Sequence, residues 1–345
     1  MKLAVVLFNL GAPDCPEAVE PFLRNLFSDP AILPLPEWLR RPAAWALAKR
    51  RKKTAQAIYS HIGGRSPLLE ETRAQADALE RALAGKGIPV RTFIAMRAWH
   101  PLSEEAARDV KAYAPDRIVL LPLYPQYSTT TSASSVSAWH AAAVREGLCV
   151  PLQRVCCYPW NGGFVAALAE RLETALAQRQ QHESYRVLFS AHGLPQRTIR
   201  GGDPYQWQIE QTADAVIRRL GSRDLDWRVT YQSRVGPLQW LEPATDAEIR
   251  LAGAQGKSLV VMPVAFVSEH SETLVELDIE YARVAQEAGV ADYIRVPAVG
   301  TNAAFIDGLA RLVLEAASAE RPITCGEGRI CPARLRRCGM SGELA

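Results

Sequence analysis

An α/β fold of two doubly wound, Rossmann-like domains with parallel sheets is predicted by three features of the 345-residue chain. Short apolar, β-branched runs alternate with longer amphipathic stretches, the pattern of strands buried on both faces and joined by crossover helices. The length suffices for two medium α/β cores. The halves also echo each other: Leu10-Gly11-Ala12-Pro13 matches His192-Gly193-Leu194-Pro195, and Leu121-Pro122-Leu123 matches Met262-Pro263-Val264. The two matches have offsets of 182 and 141, so the first half carries 41 extra residues, placed as an insertion within about residues 15–60. The expectation is a pseudo-two-fold duplication, with residues 1–155 as the first domain, 156–320 as the second and 321–345 as a cysteine-bearing tail.

Taken in order, residues 3–8 form an apolar run that lacks a basic n-region and a cleavage site and turns at Gly11-Ala12-Pro13. They read as a first strand, not a signal peptide. Further strands are expected at 90–96, 117–123, 185–190, 227–231, 259–266 and 293–296, and helices at 66–84, 103–113, 163–178, 205–220, 246–255 and 303–317. The insertion reads differently. A proline-rich apolar segment, 30–36, leads into Trp38, Leu39, Trp45 and Leu47, and Lys49-Arg50-Arg51-Lys52-Lys53 follows. Tryptophans beside a basic cluster suit a surface that meets an anionic membrane or a large flat anionic ligand.

Composition narrows the class. The chain is 48% hydrophobic and 22% charged, ordinary for a globular protein, and a net charge of +3 demands no nucleic-acid partner. No run approaches the length that spans a bilayer. Seven cysteines without a regular framework over the body of the chain fit a reducing cytosol.

The chemistry concentrates at two strand ends. The apolar run at 259–267 gives way to Ser268-Glu269-His270-Ser271-Glu272-Thr273-Leu274-Val275-Glu276-Leu277-Asp278-Ile279-Glu280-Tyr281. This reads as a helix capped by Ser268 or Ser271, with Leu274, Leu277 and Tyr281 as its packed stripe. Glu272, Glu276 and Glu280 recur every four residues on one face, starting next to His270, and no Lys or Arg lies among them. A solvated acidic face is one reading. The carboxyl end of a buried strand, where ligands sit in open α/β sheets, favours a path for cations or protons. His192 follows the strand at 185–190 directly, and its imidazole is suited to proton exchange or metal ligation near neutrality.

Several motifs together carry a family resemblance. They are Ile62-Gly63-Gly64-Arg65-Ser66-Pro67, Met96-Arg97-Ala98-Trp99-His100-Pro101, Leu121-Pro122-Leu123-Tyr124-Pro125-Gln126-Tyr127-Ser128, Ser190–Pro195, Gly202-Asp203-Pro204-Tyr205, Gln232-Ser233-Arg234-Val235-Gly236-Pro237 with Trp240, and the acidic stretch 268–281. In this order and at these separations the chain resembles ferrochelatase along almost its whole length, with the two-domain chelatase-like fold. The resemblance implies insertion of Fe2+ into protoporphyrin IX to form protohaem. It puts the family's catalytic histidine on His192 and its partner glutamate on Glu272, both also candidate metal ligands, with His270, Glu276 and Glu280 in the acidic network. Leu10, Tyr59, Ile62, Tyr124, Tyr127, Pro237 and Trp240 are expected to line the porphyrin, and Ser66 and Arg97 to hold its propionates. Ala98, His61 and Leu69 depart from the animal pattern, which bears on those propionate contacts.

The tail cysteines Cys325, Cys331 and Cys338 fall within fourteen residues. Some ferrochelatases hold a [2Fe–2S] cluster on three tail cysteines and one internal one, so these three are candidate ligands, with Cys149, Cys156 or Cys157 as candidates for the fourth. The animal family's internal position holds Thr129 and Thr130 here. Coproporphyrin ferrochelatase, a cobalt chelatase of the same fold and a non-catalytic tetrapyrrole carrier stay open as alternatives. The expected location is the cytoplasm, with docking on the inner face of the membrane.

Overall fold

The computed structural model describes residues 2–179, 184–221, 224–321, 323–325 and 328–341. The chain divides into two compact units: Met1–Tyr158 with Leu309–Ile330 and Gly339–Ala345, and Pro159–Gly308 with Cys331–Cys338. In unit 1, β1 (Leu3–Asn9), β2 (Val90–Met96), β3 (Arg117–Pro122), β4 (Leu152–Val155) and β9 (Ile323–Thr324) make one parallel sheet in the order β2-β1-β3-β4-β9. All seven residues of β1 are buried, as expected of a strand paired on both edges and covered on both faces. Around the sheet stand α1 (Val19–Ser28), α2 (Glu37–Ser60), α3 (Leu68–Ala84), α4 (Ser103–Tyr113) and α5 (Ser132–Glu146). Phe8 and Trp139, both fully buried with ring centroids 6.3 Å apart, lock α5 onto β1. Such burial is worth roughly 1.5–3 kcal/mol for a large apolar side chain.

Unit 2 repeats the strand order. Its β5 (Tyr185–His192), β6 (Asp226–Gln232), β7 (Ser258–Pro263) and β8 (Tyr293–Arg295) form a parallel sheet ordered β6-β5-β7-β8. The helices are α6 (Gly162–Ala177), α7 (Gln196–Arg200), α8 (Tyr205–Leu220), α9 (Thr245–Ala254) and α10 (Ala282–Glu287). The last, α11 (Ala303–Ser318), belongs to unit 2 up to Gly308 and to unit 1 from Leu309. At the amino end of the unit 2 strands, Arg186 is buried between Asp226 (3.0 Å) and Glu248 (3.6 Å), which ties β5, β6 and α9 in one register.

Three elements differ from the sequence expectation. The described residues of the expected tail pack on both units: β9 adds to the open edge of β4, Arg154 against Ile323, and the segment 331–338 joins unit 2, where Cys331 Sγ accepts from Gln208 Nε2 at 3.1 Å. An edge strand leaves a row of backbone groups unpaired, and β9 satisfies them. The echoing turns also differ in mechanism. Gly11 takes a left-handed conformation (φ 82°), while a Cβ on Gly193 would lie 2.8 Å from the Gln232 carbonyl oxygen, so that glycine is demanded by close approach.

The third difference matters most. Residues Glu272–Tyr281 form a π-helix that continues into α10, not an α-helix capped by Ser268 or Ser271. Thr273 takes the capping role, its hydroxyl accepting from His270 N–H and donating to His270 C=O, both at 3.0 Å. The i→i+5 bonding widens the turn, so the expected stripe loses its register: Thr273, Val275 and Leu277 are buried, and Leu274 and Tyr281 only half so. The π-helix is rare, and its single-turn form is frequent at functional sites.

Candidate active site

In a doubly wound sheet of order 2-1-3-4 the ligand crevice opens at the carboxyl ends of the strands on either side of the order reversal. In unit 2 that point lies between β5 and β7. His192 is the last residue of β5, and the π-helix follows β7. His192 Nδ1 meets Glu272 Oε2 at 2.7 Å. With Nδ1 committed to the carboxylate, Nε2 is the nitrogen available to a substrate proton or a metal ion.

The loop after β6 connects the two carboxylates of the π-helix. Ser190 Oγ donates to Gln232 Oε1 (2.8 Å), which turns the amide so that Nε2 donates to the Glu272 carbonyl and to Glu276 Oε2, both at 2.9 Å. Ser233 sits in the left-handed region (φ 62°), a strained position for a residue with a side chain, costing on the order of 1 kcal/mol. That conformation aims two donors at one target. Ser233 N–H reaches Glu276 Oε1 at 2.7 Å and its hydroxyl bonds Glu276 Oε2, while Glu272 Oε2 lies 3.3 Å from the same hydroxyl. Tyr281 Oη closes the chain by donating to Glu276 Oε1 at 3.0 Å.

These contacts separate the proton affinities. Burial works against the charge on Glu272, yet the His192 imidazole, by charge and by hydrogen bond, with His270 and Ser233, brings its carboxyl down to about 2. Burial alone would depress His192, but Glu272 by charge and hydrogen bond, with Glu276 behind it, raises it above the ordinary histidine value. Burial and the neighbouring Glu272 charge raise Glu276, despite its bonds from Ser233 and Gln232. Burial also lowers His270, favouring a neutral ring, with Nδ1 against the Ser268 carbonyl at 3.2 Å. Two carboxylates four residues apart are thus pushed in opposite directions, the usual mark of divided acid–base roles.

Of the residues expected at the site, His192, His270, Glu272 and Glu276 come together in unit 2, but Glu280 is exposed. Trp240 is half-buried on the segment that doubles back over Gly193, and Pro237 is exposed on it. In unit 1, Leu10 is half-buried at the end of β1. The packing of the other expected unit 1 residues is as follows. Tyr59 and Ile62 pack into the apolar cluster of α1 and α2, and Tyr124 packs against the core around Trp139. Tyr127 is buried against Cys156 and Cys157. Ser66 Oγ accepts from Leu68 N–H at 3.3 Å, in the turn that opens α3. Arg97 places Nη2 on the buried Asp29 (3.0 Å) and Nε on Ser134 (2.6 Å). Reasoning from sequence missed Ser190, Gln232 and Ser233 as connectors, although all three lie inside motifs given above; the left-handed serine has no sequence signature.

The ferrochelatase family model matches residues 2–317. The chain belongs to the ferrochelatase family. It is 54% identical over 340 residues to a ferrochelatase of Phenylobacterium zucineum, covering 98% of each chain. Identity to a ferrochelatase of Caulobacter vibrioides is 51%, over 98% of this chain and 97% of the other. A ferrochelatase of Pelagibacter ubique shares 44%, again covering 98% of each. Among solved structures, the sirohydrochlorin chelatase SirB of Bacillus subtilis with cobalt is similar in fold, with a TM-score of 0.53 at 11% identity, over 92% of this chain and 96% of that one. DR2241 of Deinococcus radiodurans gives 0.51 at 13%, over 93% and 55%.

Among the described residues, the one group of three or more His, Cys, Asp or Glu ligand atoms within 4.8 Å of one another is Cys156, Cys157 and Cys325, in unit 1. Cys325 Sγ lies 3.5 Å from Cys157 Sγ, and a Cβ on Gly339 would lie 2.7 Å from Cys156 Sγ. Cys331 and Cys338 belong to unit 2. Of the three expected tail ligands, only Cys325 joins this group.

Proposed function

We propose that this ferrochelatase inserts Fe2+ into protoporphyrin IX through the paired side chains of His192 and Glu272. The observation that carries the reading is the 2.7 Å contact between them, continued through Ser233 to Glu276. Metallation removes two pyrrole N–H protons from a flat, rigid ring, so a base and a way out for protons are both required. His192 Nε2 takes the proton, and the Glu272 carboxylate stabilises the imidazolium. Glu272, held down to about 2, stays ionised; Glu276, raised, is the better resting place, reached by way of the Ser233 hydroxyl. His270, kept neutral, offers a nitrogen donor to the arriving iron, and Trp240 and Pro237 supply contact to the macrocycle on the unit 2 side. The test is anaerobic metallation of protoporphyrin IX with Fe2+, followed by absorbance. Turnover that collapses in His192→Ala is expected; tight porphyrin binding with no turnover by the intact chain would instead establish a carrier. Coproporphyrin and Co2+ run in parallel identify the alternative substrates.

The surface of α2 supports docking on an anionic membrane from the cytoplasm. Trp38 is 74% exposed and Trp45 50%, with Ile32, Leu35 and Leu39 also exposed nearby, and Lys49 lies 4.1 Å over the Trp45 ring. Aromatic rings beside lysines and arginines are the makings of an interfacial anchor. No described helix is long and apolar enough to cross a membrane.

The sulfur group in unit 1 supports a [2Fe–2S] cluster, whose four cysteine ligands would include Cys156, Cys157 and Cys325. Such a cluster supplies electron storage and a crosslink between Cys325 and the end of β4. Visible absorbance with acid-labile sulfide in protein purified without oxygen is expected, lost in Cys325→Ser; Cys331→Ser and Cys338→Ser identify the fourth ligand. Colourless protein without sulfide would overturn the assignment.

A further inference from the structure

His192 and Glu272 are carried by different elements, so their 2.7 Å contact depends on what fixes the π-helix against the sheet. One side is held by Gln232 and Ser233, from the end of β6. The other is held by β8, a strand of three residues. Arg295 closes β8 with a half-buried guanidinium, 14% exposed, whose three nitrogens are all used. Nε and Nη2 grip Asp278 Oδ1 and Oδ2 at 2.6 and 2.7 Å, a bidentate fork, and Nη1 reaches Glu269 Oε1 at 2.6 Å. Glu269 Oε1 also accepts from Ala298 N–H at 2.9 Å. Two places earlier, Tyr293 Oη donates to the Leu277 carbonyl oxygen, inside the π-helix, at 2.9 Å.

The two carboxylates bracket Glu272, Glu269 three residues before it and Asp278 six after. Both are clamped to a strand that pairs with β7, which pairs with β5, which ends in His192. A continuous path of sheet register therefore runs from the base to its partner carboxylate through Arg295.

We infer that β8 is the fastening of the π-helix, and that Arg295 and Tyr293 are positioning residues which set Glu272 against His192. This rests on the reading of that pair as the metallation centre. Arginine is required for geometric reasons: a planar fork matches Asp278 bidentately while its third nitrogen reaches Glu269, and lysine has no fork. Groups that orient ligands from behind cost about 10–100-fold in metal affinity or activity when removed.

The test measures Fe2+ metallation at varied iron and at varied porphyrin for Arg295→Met, Arg295→Lys, Tyr293→Phe and the intact chain, with thermal melting of each. For Arg295→Met, kcat/KM for iron is expected to fall about 10–100-fold with the porphyrin KM unchanged. Arg295→Lys should fail to restore it, and Tyr293→Phe should show a smaller loss of the same kind. A purely structural role would lower the melting temperature but leave kinetics per folded molecule intact. Should Arg295→Met not fold, the lysine and phenylalanine variants decide. Folded variants with unchanged iron kinetics, measured against an active intact chain that His192→Ala abolishes, would overturn the fastening role while leaving the metallation centre standing.

Discussion

His192 and Glu272 each alter the other, and the consequence is visible in pH dependence. Its partner raises His192, so the imidazole is free to accept a proton only above that raised value. In Glu272→Gln the side chain keeps its shape but loses its charge. The acid limb of kcat should move to lower pH, because imidazole then loses its proton more readily, while the maximal rate falls for want of a stabilised imidazolium. His192→Ala removes the base outright, with an expected loss of about 10²–10⁴-fold in kcat. The same pair contributes to stability with a definite sign. The Glu272 contribution is present above the ordinary glutamate value and lost as pH falls toward about 2; that of His192 is present below the ordinary histidine value and lost as pH rises through the raised one. Melting temperature against pH should therefore show their joint benefit at mildly acidic pH, and Glu272→Gln should flatten it.

At the scale of elements, the strands of both sheet centres were legible because parallel strands buried on both faces are nearly continuous apolar runs. Four-residue β4 was not, since Leu152-Gln153-Arg154-Val155 mixes polar residues into a buried strand. Its arginine is accommodated by the returning chain, Nη2 donating to the Gly339 carbonyl at 3.2 Å, and that partner lies 185 residues away. The π-helix was legible as helix but not as π, because an acidic residue every fourth place satisfies either turn over so short a span. The proximity of His192 and Glu272 was legible from motifs; the residues that connect them were not, since Ser233 acts through a backbone conformation and Gln232 through an amide oriented by Ser190. Gly193 belongs to this scale too. A methyl there would press on the Gln232 carbonyl and push β5 from β6, so Gly193→Ala should destabilise by about 1–3 kcal/mol, read by urea unfolding, and displace His192.

For the molecule as a whole, the exposed tryptophans of α2 make membrane attachment measurable. Vesicles containing anionic lipid should bind the protein at low salt and release most of it at high salt, while neutral vesicles should bind little. Trp38→Ser should weaken binding without changing metallation of porphyrin supplied in detergent. Equal binding to neutral and anionic vesicles would count against the basic cluster as the attracting element.

The placement of β9 also dictates an order of events during synthesis. The sheet of unit 1 gains its fifth strand from residues 323–324, made only after the Pro159–Gly308 part of unit 2. Until then the β4 edge is unpaired, and Cys325 is not yet beside Cys156 and Cys157. An open edge on a nascent chain is a template for the wrong neighbour. Emergence of residues 323–324 is then the step that seals the sheet of unit 1, and a messenger truncated before codon 323 should yield a protein lost to aggregates.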